Sequence, residues 1–288
     1  MDLQVTSDDG AVHAARVFPS ARRDAPILLC LPAMGAAAGY YTPFAQALAA
    51  AGLGMAVLLD LRGQGTSSVR ARAGHDFGYR EILELDIPAA IARLRKVLGP
   101  RPLYAVGHSL GGQLALFSAA RPGPRPDGLI LIAAGTAYWR DWPAHQRWRA
   151  RLGFVAVRTA AHLLPWYPGT RLGFGGDQPR RLMRDWGRVT REGRYAPEGS
   201  DFAYESAARA LALPVLSVGI GEDPIAPEGA REALLARVPR SPIARAEIRG
   251  VLAHTPWKRH FSWARRPEEA VGAIGDWLRS GAAERAAA

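Results

Sequence analysis

The chain has 288 residues, 48% of them hydrophobic and 22% charged, ordinary usage for a globular protein long enough to bury one large core. Its single cysteine, Cys30, excludes an internal disulfide framework, and the apolar run around it predicts a buried thiol. The net charge of +11 would suit a polyanion-binding protein, but all but two of the 37 basic residues (Lys96 and Lys258) are arginine. With no run of five basic residues, no zinc-ligand spacing and no RNP-like aromatic motif, nucleic-acid binding is not expected. Apolar stretches are broken within about ten residues by Pro, Gly or Arg, short of the ~20 that a bilayer helix needs. The first ten residues lack the basic and apolar regions of a signal peptide, so a cytosolic protein is expected.

Two short strand-like runs over 3–18 flank Ser7-Asp-Asp-Gly10, a hairpin turn signal. A regular alternation follows. Apolar runs at 27–31, 54–59, 103–106, 129–133, 214–218 and 243–248 read as strands. Helical spacing appears at 41–51, 82–98, 110–120 and 267–278. Short apolar strands alternating with helices predict a mostly parallel sheet covered on both faces. One stretch breaks the pattern: about 80 residues separate the strand ending near Ala134 from the one starting at Pro214, too many for a single crossover. Residues 136–210 hold five of the eight Trp and four of the eight Tyr, with thirteen Arg against seven Asp and Glu. They are expected to form a helical insertion over the carboxyl end of the sheet, where α/β proteins bind ligands. Tyr138 and Trp139 are then the candidate substrate-binding aromatics.

The sharpest motif is Gly107-His108-Ser109-Leu110-Gly111, a G-x-S-x-G placed directly after an apolar strand and directly before a helix. A serine on so tight a turn adopts a strained backbone, so its neighbours two residues away must lack bulk. Its hydroxyl is lifted into the open at a helix N-terminus. Ser109 is therefore the candidate nucleophile. An oxyanion needs two donors: the amide of Leu110, which follows the serine, and that of Met34 in the loop Leu31-Pro-Ala-Met-Gly35. The acid is expected after the next-to-last strand, where Asp223 stands before Pro224, with Glu222 the weaker candidate. Chain order leaves His254 and His260 as candidate bases; loop length favours His254, whereas position just before the last helix favours His260, which is preferred. His108 reads as structural. The glycines of Asp60-Leu-Arg-Gly-Gln-Gly-Thr-Ser67 lack a following G-K-[ST] and also read as structural.

Taken together, Pro32-Ala-Met-Gly35 with Tyr40-Tyr41, Val106-Gly-His-Ser-Leu-Gly-Gly112, Ala134-Gly135 with Tyr138-Trp139, Asp223-Pro-x-x-Pro227 and His260-Phe261 resemble a bacterial group of predicted serine hydrolases in the α/β-hydrolase superfamily. The resemblance covers nearly the whole chain. It implies the α/β-hydrolase fold and these triad positions, and brings no assigned substrate. The group's late Gly-His-Phe-Gly-Phe is here Arg259-His-Phe-Ser-Trp263.

The expected organisation is a hydrolase core of residues 1–135 and 211–279, a helical cap or lid over 136–210, and a frayed tail over 280–288. The expected activity is hydrolysis of an ester or thioester by Ser109, His260 and Asp223 through an acyl-enzyme. Neither metal nor organic cofactor is called for, and the partner is a small-molecule acyl substrate. Acyl transfer on the same triad and a non-catalytic ligand-binding role are the alternatives. Oligomeric state is not legible.

Overall fold

The computed structural model describes residues 1–249 and 255–281. Its strands are β1 (Asp2–Thr6), β2 (Val12–Phe18), β3 (Ile27–Leu31), β4 (Met55–Leu59), β5 (Leu103–His108), β6 (Gly128–Ile132), β7 (Tyr167–Pro168), β8 (Asp177–Gln178), β9 (Val215–Ile220) and β10 (Ile243–Ile248). Eight of them form one sheet in the order β1-β2-β4-β3-β5-β6-β9-β10, while β7 and β8 pair apart. From β4 to β10 every pairing is parallel. The hairpin read from Ser7–Gly10 supplies β1 and β2, which join antiparallel at one edge. This is the α/β-hydrolase fold.

Strand residues alternate strictly between two apolar layers. Ile27, Leu29 and Leu31 of β3 and Leu103 and Ala105 of β5 face one layer, whereas Leu28, Cys30, Tyr104 and Val106 face the other. The first layer is closed by α3 (Ile87–Leu98) and α4 (Leu110–Ala119), through Ile91, Leu94, Leu114 and Phe117. The second is closed by α1 (Thr42–Ala50) and α11 (Glu268–Arg279), through Phe44, Leu48, Ile274 and Trp277. Each such side chain, once buried, contributes about 1.5–3 kcal/mol. The long helix expected over 82–98 is instead a one-turn α2 (Tyr79–Glu81), a π-helical turn (Ile82–Asp86) and then α3. Pro88 explains the break, because it has no N–H to give the carbonyl four residues back.

Between β6 and β9 the chain forms α5 (Arg147–Leu163), the β7–β8 ribbon around α6 (Gly169–Leu172), α7 (Arg180–Glu192) and α8 (Tyr204–Ala210). Leu182, Met183, Trp186 and Val189 of α7 join the same apolar cluster as the sheet's first layer, so this segment shares the main core. After β9, α9 (Glu228–Leu235) precedes β10, and α10 (Pro256–Ser262) precedes α11. The expected frayed tail lies, beyond residue 281, outside the described residues.

The 60–67 loop is a structural knot. Asp60 accepts the amides of Ala38 (2.7 Å) and Thr66 (2.8 Å); a Cβ on Gly65, whose φ is +48°, would lie 2.0 Å from the Asp60 carboxylate. Arg62 is buried between Asp86 (2.6 Å) and Asp9 (2.7 Å), tying the β1–β2 turn to the start of α3. Burial alone would raise the Asp86 carboxyl, but His13 and Arg62 beside it outweigh burial and hold it below the usual carboxylate range. Among the described residues, no helix is long and apolar enough to cross a membrane.

Candidate active site

Ser109 stands at the junction of β5 and α4 with φ +52° and ψ −118°, a conformation that costs roughly 1–3 kcal/mol for a residue with a Cβ. Its surroundings enforce that strain. A Cβ at Gly107 would lie 2.3 Å from Gly112 Cα, and one at Gly111 would lie 2.4 Å from the Leu31 carbonyl. The helix therefore packs directly on the exits of β3 and β5, and the Ser109 amide is held by the Ile132 carbonyl of β6 at 3.0 Å. The amides of Gly112 and Gln113 both turn back to the Ser109 carbonyl. The Leu110 amide opens the helix with no acceptor inside it, at the positive end of the helix dipole.

Met34 lies in the loop after β3, as its place in the sequence suggested. The Ala33 amide is taken by Tyr41 Oη (3.1 Å) and the Ala36 amide by the Ala33 carbonyl (3.1 Å). The Met34 amide between them has no partner among the described residues. Gly35, at φ +76°, lies against the turn from α6 to β8 so closely that a Cβ would sit 2.3 Å from the Gly175 carbonyl carbon. The backbone of the β6–β9 segment thus rests on the loop that carries Met34.

His260, on α10, is buried, and its Nδ1 lies 2.6 Å from Asp223 Oδ2. The other Asp223 oxygen accepts the Ile225 amide at 2.9 Å. Both carboxylate oxygens are therefore committed, and His260 is held with Nδ1–H toward Asp223 and Nε2 free for another partner. Glu222, at φ +55°, points to solvent and pairs with Arg259. His254, the competing base, lies outside the described residues.

His108 sits beneath this pair. Its ring lies 4.6 Å from that of His260, and it meets Tyr41 Oη at 2.6 Å and the Trp263 indole N–H at 3.4 Å. The indole only donates, so His108 accepts at Nε2 and carries its proton on Nδ1, toward Tyr41. Burial, reinforced by His260, pushes the His108 imidazole well below its usual range, so it stays neutral.

Ser109, Leu110, Met34 and His260 all line one cavity of about 650 Å³. Its remaining wall is mainly apolar and comes largely from the β6–β9 segment: Trp142, Phe154, Val157, Phe174 and Trp186. Tyr138 and Trp139, expected to contact substrate, are not part of this wall. Tyr138 packs over Gly193, and Trp139 lies between the guanidiniums of Arg140 (5.1 Å) and Arg151 (5.4 Å). The reason is local: a helical turn at Trp139–Asp141 carries the chain outward before Trp142 returns. Gln113 was not anticipated either. It reaches the cavity while bonding the Gly135 carbonyl (2.7 Å) and Tyr195 Oη (2.8 Å). The cluster Gly173-Phe-Gly-Gly176 was the available signal that chain passes close to something here.

A hydroxyl on a strained helix N-terminus, a carboxylate-held imidazole and two unspent amides around one cavity can together move a proton and stabilise an oxyanion. Among the described residues, no group of three or more His, Cys, Asp or Glu is arranged to hold a metal ion. A family model described as serine aminopeptidase, S33, a hydrolase family, matches residues 23–190. Among solved structures the chain is similar to Est1E from Butyrivibrio proteoclasticus, solved with ferulic acid bound (TM-score 0.64, 14% identity, covering 96% of this chain and 98% of that one). It is also similar to the esterase RhEst1 from Rhodococcus sp. ECU1013 (0.57, 18%, 97% and 98%). A hydrolase from Pseudomonas aeruginosa PA01 is comparable (0.56, 20%, 96% and 98%). At these identities the likeness is one of fold.

Proposed function

The chain belongs to the serine aminopeptidase S33 family of hydrolases, within the α/β-hydrolase superfamily, and on that premise we propose that it is a serine hydrolase of esters or thioesters. Ser109 Oγ attacks the acyl carbon while His260 Nε2 takes its proton, and Asp223 orients the imidazole and stabilises its charged form. The amides of Leu110 and Met34 receive the developing oxyanion. The tetrahedral adduct collapses as His260 returns its proton to the departing alcohol or thiol, leaving an acyl-Ser109. Water, deprotonated by His260, then releases the acid and restores the hydroxyl. The observation that carries this reading is the buried 2.6 Å pair of His260 and Asp223 on the same cavity as the strained Ser109.

The cavity also bears on the substrate. An aminopeptidase site needs a carboxylate to receive the substrate's ammonium group, and none stands among the described residues that line this cavity. Trp142, Phe154 and Trp186 offer apolar area suited to an acyl chain. Residues 136–210 act in this reading as the lid that sets chain-length preference. The test is turnover of a series of p-nitrophenyl esters of increasing acyl length by the native protein and by Ser109→Ala. The native protein should turn over at least one, and Ser109→Ala none above background. Equal turnover by both would remove Ser109 from the mechanism.

A further inference from the structure

Helix α5 has two apolar faces. The inner one, Ala150, Phe154 and Val157, lines the cavity. The outer one carries Trp148, Leu152, Val155 and Leu163, spaced four, three and eight residues apart and so on a single stripe. That stripe is in solvent: Trp148 is 62% exposed, Leu152 61% and Leu163 71%. A helix buried on one side ordinarily presents polar residues on the other, and contiguous exposed apolar surface marks an interaction site.

The flanks of the stripe are basic. Arg149 and Arg151 stand on either side of it and Arg158 at its α7 edge, on a helix with no acidic residue. None of the three forms an ion pair among the described residues, whereas on α7 Arg181, Arg184 and Arg191 are paired with Glu81, Glu198 and Glu192. Toward its C-terminal end the stripe borders a groove of about 510 Å³ between α5 and α7. Arg158, Arg180, Arg184, Arg188, Arg191 and His162 line it, with no carboxylate among the described residues that line it. Arg180 spans the groove's end, donating to the Leu164 carbonyl at 2.6 Å.

From this combination we propose that the outer face of α5, with the arginine groove beside it, is a docking surface for an anionic phospholipid bilayer. Trp148, Leu152, Val155 and Leu163 enter the interfacial region, and the flanking arginines meet headgroup phosphates. Nucleic acid would engage the arginines but leave the aliphatic stripe in water. A second copy meeting this face symmetrically would bring its own unpaired arginines against these. The surface does not depend on the hydrolase reading. It does place the bilayer against the helix whose other side roofs the cavity.

The test is co-flotation of the full chain with phosphatidylcholine vesicles containing phosphatidylglycerol, and with phosphatidylcholine vesicles alone. The protein should float with the anionic vesicles and stay behind with the neutral ones, and added salt should release it. Trp148→Glu with Leu152→Glu should weaken binding about tenfold or more; Arg149→Glu with Arg151→Glu should weaken it comparably. Both variants should keep the native melting temperature and native turnover of a soluble ester. Absence of flotation, or undiminished flotation of the Trp148 and Leu152 variant, overturns the proposal. So does a native dimer that this variant converts to monomer, since a second copy would then cover the face.

Discussion

The imidazoles of His108 and His260 lie 4.6 Å apart, and only His260 faces a carboxylate. His108 is enclosed by Tyr41, Trp263 and Phe261, and burial pushes its ionisation well below the ordinary 6.5. In the unfolded chain it regains that ordinary value, so as pH falls below about 6.5 the unfolded state takes up a proton that the folded state refuses. Stability from this group is complete above that pH and is lost, at about 1.4 kcal/mol per pH unit, as pH falls toward the folded value. Denaturant unfolding between pH 7 and pH 5 should therefore show a slope smaller by about one proton in His108→Asn than in the native protein. Identical slopes would mean that His108 takes up its proton in the fold as readily as in the unfolded chain.

Asp223 and Glu222 are adjacent, and their geometries assign them opposite fates. Asp223→Asn should keep the fold and lower ester turnover by about 10⁴-fold, because the amide cannot hold His260 in the required tautomer. Glu222→Gln, which removes only a surface pair with Arg259, should stay within about threefold of the native rate. Steady-state kinetics on the two variants would separate them.

The contact of Gly35 with Gly175 and Gly176 couples the loop of Met34 to the segment above it. Gly35→Ala adds a Cβ that would lie 2.3 Å from backbone and strains a positive φ, so the loop must shift. If the Met34 amide stabilises the oxyanion, kcat should fall by about 10²-fold or more while KM changes less. A rise confined to KM would instead assign this loop to substrate binding.

Cavity position predicts which aromatics set specificity. Trp142→Ala or Trp186→Ala should change the preference between short and long acyl esters by about tenfold, since the lost apolar contact is worth ~1–3 kcal/mol. Trp139→Ala, outside the wall, should leave the preference unaltered. The ratio of kcat/KM values across an ester series measures both.

Much of the framework was legible because its physics is local. The runs 27–31 and 243–248 became β3 and β10 with those bounds: the first is a continuous apolar stretch and the second alternates small or apolar residues with Arg245 and Glu247, and between turn residues either short pattern suits a strand. Gly107, Ser109 and Gly111 announced the strained turn because only small neighbours permit it. The antiparallel β2–β4 pairing and the order of the sheet were not legible, being set by long-range contacts. Trp142, Phe154, Phe174 and Trp186 escaped for the same reason. They lie in different elements, and nothing in the spacing of an aromatic-rich stretch says which rings turn inward and which, like Trp139, are covered by arginines.

The central claim is that Ser109 is an activated nucleophile served by His260. A fluorophosphonate probe, with the modified residue mapped by mass spectrometry, tests it most directly, because only an activated serine reacts at a useful rate. The native protein should acquire one adduct per chain, on Ser109; labelling should vanish in Ser109→Ala and slow by several orders of magnitude in His260→Ala, with both variants folded. Stoichiometric labelling of Ser109→Ala, or an adduct on another residue of the native protein, would contradict the account.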